Sequence, residues 1–414
     1  MERRRVVITG LGCVTALGES VDLVFESLCA GKSGVSTIES FDTAAYPVHF
    51  AGEIKTFDVT QYVEKRESRR MDRFAQYAVA AATQAVRDSG LDLATEDPHR
   101  IGSIVGTGIG GIKEIEEEHL KLLDKGPSKV SPFCVPRLMA NAASGNIAIQ
   151  FRLRGPNFCV SSACASGNHS IGEAFCNIAY GRSDVQVTGG SEAAVTPIGL
   201  ASFCAARSLS TRNDNPPAAS RPFDKNRDGF VLAEGSGIVI LEELEHAKRR
   251  GARIYAELLG YGATDDGYHI TAPLPDGTGA AKAMEIALAD AGLKPERVDY
   301  INAHGTGTEL NDVAETTAIR TVFGTHAPKL AISSTKSCLG HMLGATAAVE
   351  LIACVMTLNK GIIPPTINLD DPDPACGPDL DFVPLKARQR AVRVALSNSL
   401  GFGGHNSCII VGKV

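Results

Sequence analysis

No CxxC pair occurs in this chain, and its 11 cysteines are odd in number and scattered. That spacing excludes a zinc-type cluster and a disulfide framework, and predicts mostly buried thiols in a reducing compartment. Positive charge is not in excess: 41 Lys and Arg stand against 47 Asp and Glu, a net charge of −6. Nucleic-acid binding by bulk charge is therefore excluded. No signal segment is legible, because Arg3-Arg4-Arg5 precedes only the short run Val6-Val7-Ile8. The longest apolar-rich stretch, 347–358, is interrupted by Glu350 and falls short of a membrane span. We expect a cytoplasmic protein. What is present is apolar material, 44% of the chain, with 21% charged residues, enough for a large core and unlike a disordered chain. At roughly 150 residues per domain, 414 residues suggest two or three structural units. The 42 glycines follow no collagen period and predict tight turns and close backbone approaches.

Short apolar runs alternate with helical patterns. Strands are predicted at 6–8, 101–105, 157–160, 184–187 and 237–241, and again at 254–259, 298–302, 330–332, 392–396 and 408–411. Helices are predicted between them, at 73–89, 166–180, 279–291 and 343–358. The pattern reads as α/β with largely parallel, buried strands. The halves also echo each other. Asp88-Ser89-Gly90-Leu91, a strand and a glycine loop are answered by Asp290-Ala291-Gly292-Leu293, a strand and His304-Gly305-Thr306-Gly307-Thr308. Ser161-Ser162-Ala163-Cys164 is answered by Ser333-Ser334-Thr335-Lys336. The stretch between these marks is longer in the first half, 88–161 against 290–333, which predicts an insertion around 112–140. Two similar halves, 1–250 and 251–414, would present their strand ends to a shared cleft.

Two motifs are weak. Gly106-x-Gly108-x-x-Gly111 follows a strand, but Glu114–Glu118 lie too close to serve as a ribose carboxylate, so a tight turn near the cleft is expected. Asp224-x-Asn226-x-Asp228-Gly229 lacks a glutamate at the twelfth position of a calcium loop and reads as a capped turn. Cys164 stands out. It lies between a strand and a helix start, where the helix dipole and free N–H groups should lower a thiol pKa and could hold an oxyanion. His304 and His341 stand at glycine-flanked strand-to-helix loops, and either could move a proton near neutral pH. In Gly401-Phe402-Gly403-Gly404-His405 we expect the backbone, rather than the imidazole, to matter. The basic run Lys65-Arg66-Glu67-Ser68-Arg69-Arg70 is a solvated face that could also dock an acidic partner.

These residues together resemble a known family. The markers are Arg4–Gly12, Ser162-Ala163-Cys164-Ala165-Ser166-Gly167, Ala205–Asn213, Arg221-Pro222-Phe223-Asp224, Asn302–Thr308, Ser334-Thr335-Lys336 with Gly340-His341, and Asn398–Gly404. Over essentially its whole length the chain resembles the elongating β-ketoacyl-acyl-carrier-protein synthases of bacterial fatty acid synthesis, the type II synthases most of all. The resemblance implies a thiolase-like fold, five-layered αβαβα from two duplicated halves, in a homodimer. It implies an acyltransferase that needs no cofactor and no metal, with substrates carried on the phosphopantetheine of acyl carrier protein (ACP). Cys164 would take the acyl chain, His304 and His341 would act on malonyl-ACP, and Lys336 with Glu350 would support them. The N–H groups of Cys164 and Phe402 would form the oxyanion hole, with Phe402 also a gate. Thr271, Thr306 and Thr308 would bind pantetheine. Ile109, Phe133 and Cys134 would line the acyl pocket, and Arg66, Arg69, Arg70 and Arg207 would dock the carrier. His405 stands where many relatives have Thr, which leaves substrate preference open. A type II polyketide ketosynthase and a carrier-binding subunit without turnover are the alternatives.

Overall fold

The structure is a computed structural model that describes residues 3–414. Its main sheet has ten strands: β1 (Val6–Thr15), β2 (Ile101–Gly106), β3 (Asn157–Val160), β4 (Val185–Glu192), β5 (Gly235–Glu243), β6 (Ala256–Asp265), β7 (Tyr300–Asn302), β8 (Ala331–Ser333), β9 (Val394–Gly401) and β10 (His405–Gly412). They run in the order β8-β7-β9-β10-β6-β1-β5-β4-β2-β3. Each half repeats one permutation, with its third strand at the edge, then its second, fourth, fifth and first. The two first strands, β1 and β6, join the halves through three antiparallel pairs beginning at Val6–Leu258. Every predicted strand is present, and the helix predicted at 73–89 has those bounds.

The duplication reaches individual atoms. Gly10 and Gly12 on β1 lie so close to helix Arg73–Ser89 that an added Cβ would meet Ala85 O at 2.2 Å and Ala81 O at 2.0 Å. On β6, Gly260 and Gly262 meet Ala287 O and Ala283 O of helix Thr278–Asp290 at 2.3 and 2.0 Å in the same way. Gly12→Ala should therefore cost about 1–3 kcal/mol through overpacking. A denaturant titration checks this, and an unchanged midpoint would contradict it.

Helices Ser166–Ala179 and Thr346–Lys360 touch strands of both halves and form the middle layer of the αβαβα stack. Helices Arg73–Ser89 and Thr278–Asp290 cover the outer faces. The expected insertion is there: helices Ile112–Lys125 and Cys134–Leu138 have no counterpart between β7 and β8.

Two expectations are corrected. The sheet is mixed rather than largely parallel: β4 and β9 pair parallel on one side but antiparallel on the other, with β5 and β10. Buried strands read as apolar runs in either direction, so the run alone did not carry the sense. The apolar stretch 347–358 also belongs to a helical segment long enough to span. Leu343–Lys360 has the length and hydropathy to cross a membrane, but it is 89% buried inside the fold. Glu350 is no interruption there, because it is paired with Lys336.

Near the N-terminus, Arg100 and Arg4 each reach Asp184 at 2.8 Å and hold its carboxyl down, at about 2. A depressed carboxyl stabilises the fold above its ordinary pKa and loses that contribution as it protonates. Stability should thus fall between about pH 4 and pH 2, and less steeply in Asp184→Asn. Acid titration of the two proteins by circular dichroism checks this.

Candidate active site

Four strand ends converge on one cavity of about 710 Å³. Cys164 follows β3 through a sharp turn in which Ala163 takes φ +49°. The turn is pinned: Ser166 Oγ accepts from Ser162 N at 2.9 Å, and Ser399 Oγ donates to Cys164 O at 2.9 Å. His304 follows β7, and its N–H and that of Gly305 donate to the two oxygens of Glu315, each at 2.8 Å. His341 follows the short turn Lys336–Leu339, and its N–H donates to Val231 O at 2.7 Å. Cys164 Sγ and a ring nitrogen from each histidine lie within 4.8 Å of one another, and all three residues are buried. The imidazoles meet edge to face, with centroids 5.4 Å apart.

The electrostatics differ from the expectation for Cys164. Burial pushes its thiol up, to about 11, outweighing the Lys336 charge and the N–H groups of Phe402 and Cys164 itself, which favour the thiolate. The helix end is too weak to overcome removal from water. Other buried thiols, such as Cys13 and Cys338, are raised as well, so acidity does not single out Cys164. Its neighbours do. Burial, then Lys336, then His341 lower His304 well below the usual imidazole value, and burial and Lys336 do the same to His341. Both rings are therefore neutral bases at physiological pH. The N–H of Leu343 donates to His341 Nδ1 at 3.2 Å, so Nδ1 is the acceptor and the ring proton sits on Nε2. His341 is thereby set as an N–H donor on its other edge. His304 Nδ1 is buried and has no partner among the described residues. Lys336 Nζ donates to Glu350 Oε1 at 2.7 Å and reaches the histidines only through its field. Burial pushes the Glu350 carboxyl up, to about 7, against the pull of Lys336.

The remaining expected residues divide. Ile109, Arg207, Thr271, Thr306, Thr308 and Phe402 line the cavity with the triad. Thr306 and Thr308 join their hydroxyls at 2.8 Å. Phe402 is 37% exposed at the β9–β10 turn. His405, three residues on, faces Asp265 at 3.4 Å and does not line the cavity. Phe133 and Cys134 lie off the cavity of this chain. They start the inserted helix Cys134–Leu138, where Phe133 packs under the Arg70 guanidinium at 5.2 Å. Arg66 and Arg69 are exposed on the turn around 65–70, Arg70 also bonds Glu67, and Arg207 stands on the cavity rim. Gly106–Gly111 is a tight turn whose Gly108 lines the cavity, and Asp224 accepts backbone N–H bonds from Asn226, Asp370 and Asp371, as a capped turn does. Sequence reading missed Glu315 and Glu192. Neither carries a signal in the local sequence.

Comparison with known proteins agrees with this geometry. Residues 3–247 match the family model for the β-ketoacyl synthase N-terminal domain, and residues 255–370 the C-terminal one. The chain is 52% identical over 406 residues to the 3-oxoacyl-[acyl-carrier-protein] synthase 2 of Synechocystis sp., covering 98% of this chain and 97% of that one. It is 51% identical to the protein of that name from Vibrio cholerae, covering 99% of each. Among solved structures, the ishigamide ketosynthase/chain length factor superposes with a TM-score of 0.93 at 39% identity over 100% of both chains. A type II polyketide ketosynthase solved in complex with its acyl-carrier protein gives 0.93 at 36% identity, again over 100% of both. Family models thus cover both halves that meet at this cavity, and the chain belongs to the β-ketoacyl synthase family.

Proposed function

We propose that this protein is the elongating condensing enzyme of fatty acid synthesis, joining malonyl-ACP to an acyl chain with loss of carbon dioxide. The observation that carries the reading is Cys164 beside two neutral imidazoles, with the backbone N–H groups of Phe402 and of Cys164 itself favouring its thiolate. The first half, 1–250, supplies the nucleophile and the second, 251–414, the histidines. Cys164 attacks the thioester of acyl-ACP. A neutral imidazole takes the thiol proton and passes it to the departing pantetheine sulfur. Malonyl-ACP then enters past Thr271, Thr306 and Thr308. N–H groups of His304 and His341 hold its thioester oxygen as the carboxylate leaves as carbon dioxide. The carbanion attacks the acyl carbon, and the N–H groups of Cys164 and Phe402 hold the oxyanion until the Cys164 sulfur departs. Phe402 gates entry of the second substrate. The products are 3-oxoacyl-ACP, carbon dioxide and free ACP. No cofactor or metal takes part.

The fatty acid reading stands above the polyketide one because relatives named 3-oxoacyl-[acyl-carrier-protein] synthase 2 reach 52% identity, against 39% for the ketosynthase/chain length factor. Incubating the purified protein with acyl-ACP and malonyl-ACP should release both 3-oxoacyl-ACP and carbon dioxide; release of neither refutes the proposal. The partner is ACP, as it is for the solved ketosynthase in complex with its own acyl-carrier protein. Because this chain is itself acidic, Arg66, Arg69, Arg70 and Arg207 would have to form the local basic contact. We place the enzyme in the cytoplasm, as a homodimer. Strand β3 pairs on one side only and leaves Phe158 39% exposed, and the inserted helix Ile112–Lys125 exposes Leu120 and Leu123. An unpaired apolar edge is suited to a second copy. Phe133 and Cys134 would then reach the acyl pocket at that interface. Sedimentation equilibrium should give twice the chain mass; a monomer at all concentrations refutes the dimer.

A further inference from the structure

Glu192 ends β4 fully buried, with no salt bridge among the described residues. Four donors converge on it. Oε1 accepts from Thr107 Oγ1 at 2.6 Å and Ile109 N at 3.2 Å; Oε2 accepts from Gly108 N at 2.7 Å and Gly344 N at 3.0 Å. Burial pushes this carboxyl up while the four donors pull it down; nothing in the set can accept a proton from it except the Thr107 hydroxyl, so the donors suit the ionised form. The carboxylate thus ties together two loops of the cavity wall. One carries Gly108 and Ile109 from the end of β2. The other carries Leu343, held at φ +47° directly after the turn from His341. Space is tight at this junction: an added Cβ on Gly344 would meet Gly108 N at 2.5 Å.

We propose that Glu192 is a positioning residue that holds Ile109 and Leu343 in place beside Cys164 and so determines how well long acyl chains are accepted. This rests on the condensing function proposed above. A short acyl group ends near the sulfur, whereas a long one must continue along the wall that Ile109 helps to form. The same carboxylate acts on the nucleophile. Cys164 is faced by Lys336, His304, His341 and Glu192, and of these Glu192 disfavours its thiolate while Lys336 favours it. Loss of the Glu192 charge therefore has two opposite effects, a looser wall and a more acidic thiol.

Glu192→Gln separates them. The amide offers only one acceptor oxygen. If that oxygen keeps Gly108 and Gly344, the amide nitrogen can donate to Thr107 but leaves the Ile109 N–H unpaired. We expect kcat/KM for hexadecanoyl-ACP to fall on the order of tenfold more than for hexanoyl-ACP, the scale of a small misplacement. We also expect the pH midpoint for Cys164 alkylation by iodoacetamide to move down. Equal loss with both primers, or an unmoved midpoint, overturns the proposal. Thr107→Val keeps the charge and removes one donor, so it should reproduce the primer split without moving the midpoint. If Glu192→Gln does not fold, absence of a split in Thr107→Val overturns the proposal. Alkylation needs no turnover, so a wild-type enzyme that fails to condense would refute the proposed function while the midpoint still tests Glu192.

Discussion

Cys164→Ala should form no acyl-enzyme with acyl-ACP and should lose condensation by a factor on the order of 10⁴ or more, the scale seen when a covalent nucleophile is removed. The expectation follows from the site's inventory. Among the described residues, Cys164 is the one thiol placed with both imidazoles, and no second cysteine lines the cavity. Cys204, the half-buried thiol next to cavity-lining Phe203, is not in the cluster. The fold should be unaffected, because alanine removes one sulfur from the edge of an open cavity. Cys164→Gln sharpens the test. Its amide would mimic the acyl-enzyme, so malonyl-ACP decarboxylation should persist without condensation. Mass spectrometry of the protein and carbon dioxide release read the two steps separately. Acylation of Cys164→Ala at the wild-type rate would refute the assignment.

Lys336→Met should convert a flat pH profile into a falling one. In the wild type, burial and the Lys336 charge hold both histidines well below the ordinary imidazole range, while burial holds the thiol at about 11. The resting pair is a neutral thiol beside a neutral base across the whole interval between those values. Acylation should therefore be nearly constant between about pH 6 and pH 8. Removing the Lys336 charge raises both imidazoles towards their ordinary value, and a protonated ring cannot take the thiol proton. Each unit of rise costs about a factor of ten in neutral base once the pH is below the new pKa. Because burial still holds the rings down, the new value stays at or below the ordinary one of about 6.5, and the variant should thus lose up to about fourfold in acylation on going from about pH 8 to pH 6. Glu350, left without its cation, takes up a proton rather than remaining a buried unpaired charge. The pH dependence of single-turnover acylation checks this. A variant as flat as the wild type would show that Lys336 does not control the histidines.

Much of this architecture was legible beforehand, for identifiable reasons. Strands such as β3 and β4 announce themselves by apolar runs between glycine-rich turns. The duplication shows because both halves must solve the same problem, a strand end opening on a helix, with similar residues around Cys164 and Lys336. Cys164, His304 and His341 were legible because each sits at such a junction. What was not legible depends on the third dimension. The sense of β5 and β10 is set by the path of the chain, not by their composition. The thiol acidity was misjudged because a sequence shows a helix end but not the loss of water around the sulfur, and desolvation proved larger. Glu192 was missed because its carboxylate joins loops 84 and 152 residues away, and Glu315 because it joins the His304 loop to Asn398, 83 residues on, and nothing in the local sequence names those partners. Phe133 and Cys134 were assigned by resemblance, and in a single chain they do not line the cavity.

The central claim is that the acyl chain passes through a thioester on Cys164. It is tested most directly by the intact mass of the protein in a two-step experiment. With acyl-ACP alone, the mass should rise by one acyl group, located to Cys164 by peptide mapping. Addition of malonyl-ACP should return the mass to its starting value as 3-oxoacyl-ACP and carbon dioxide appear. Product formed without any acylated Cys164, or an acyl group carried on another residue, would contradict the account.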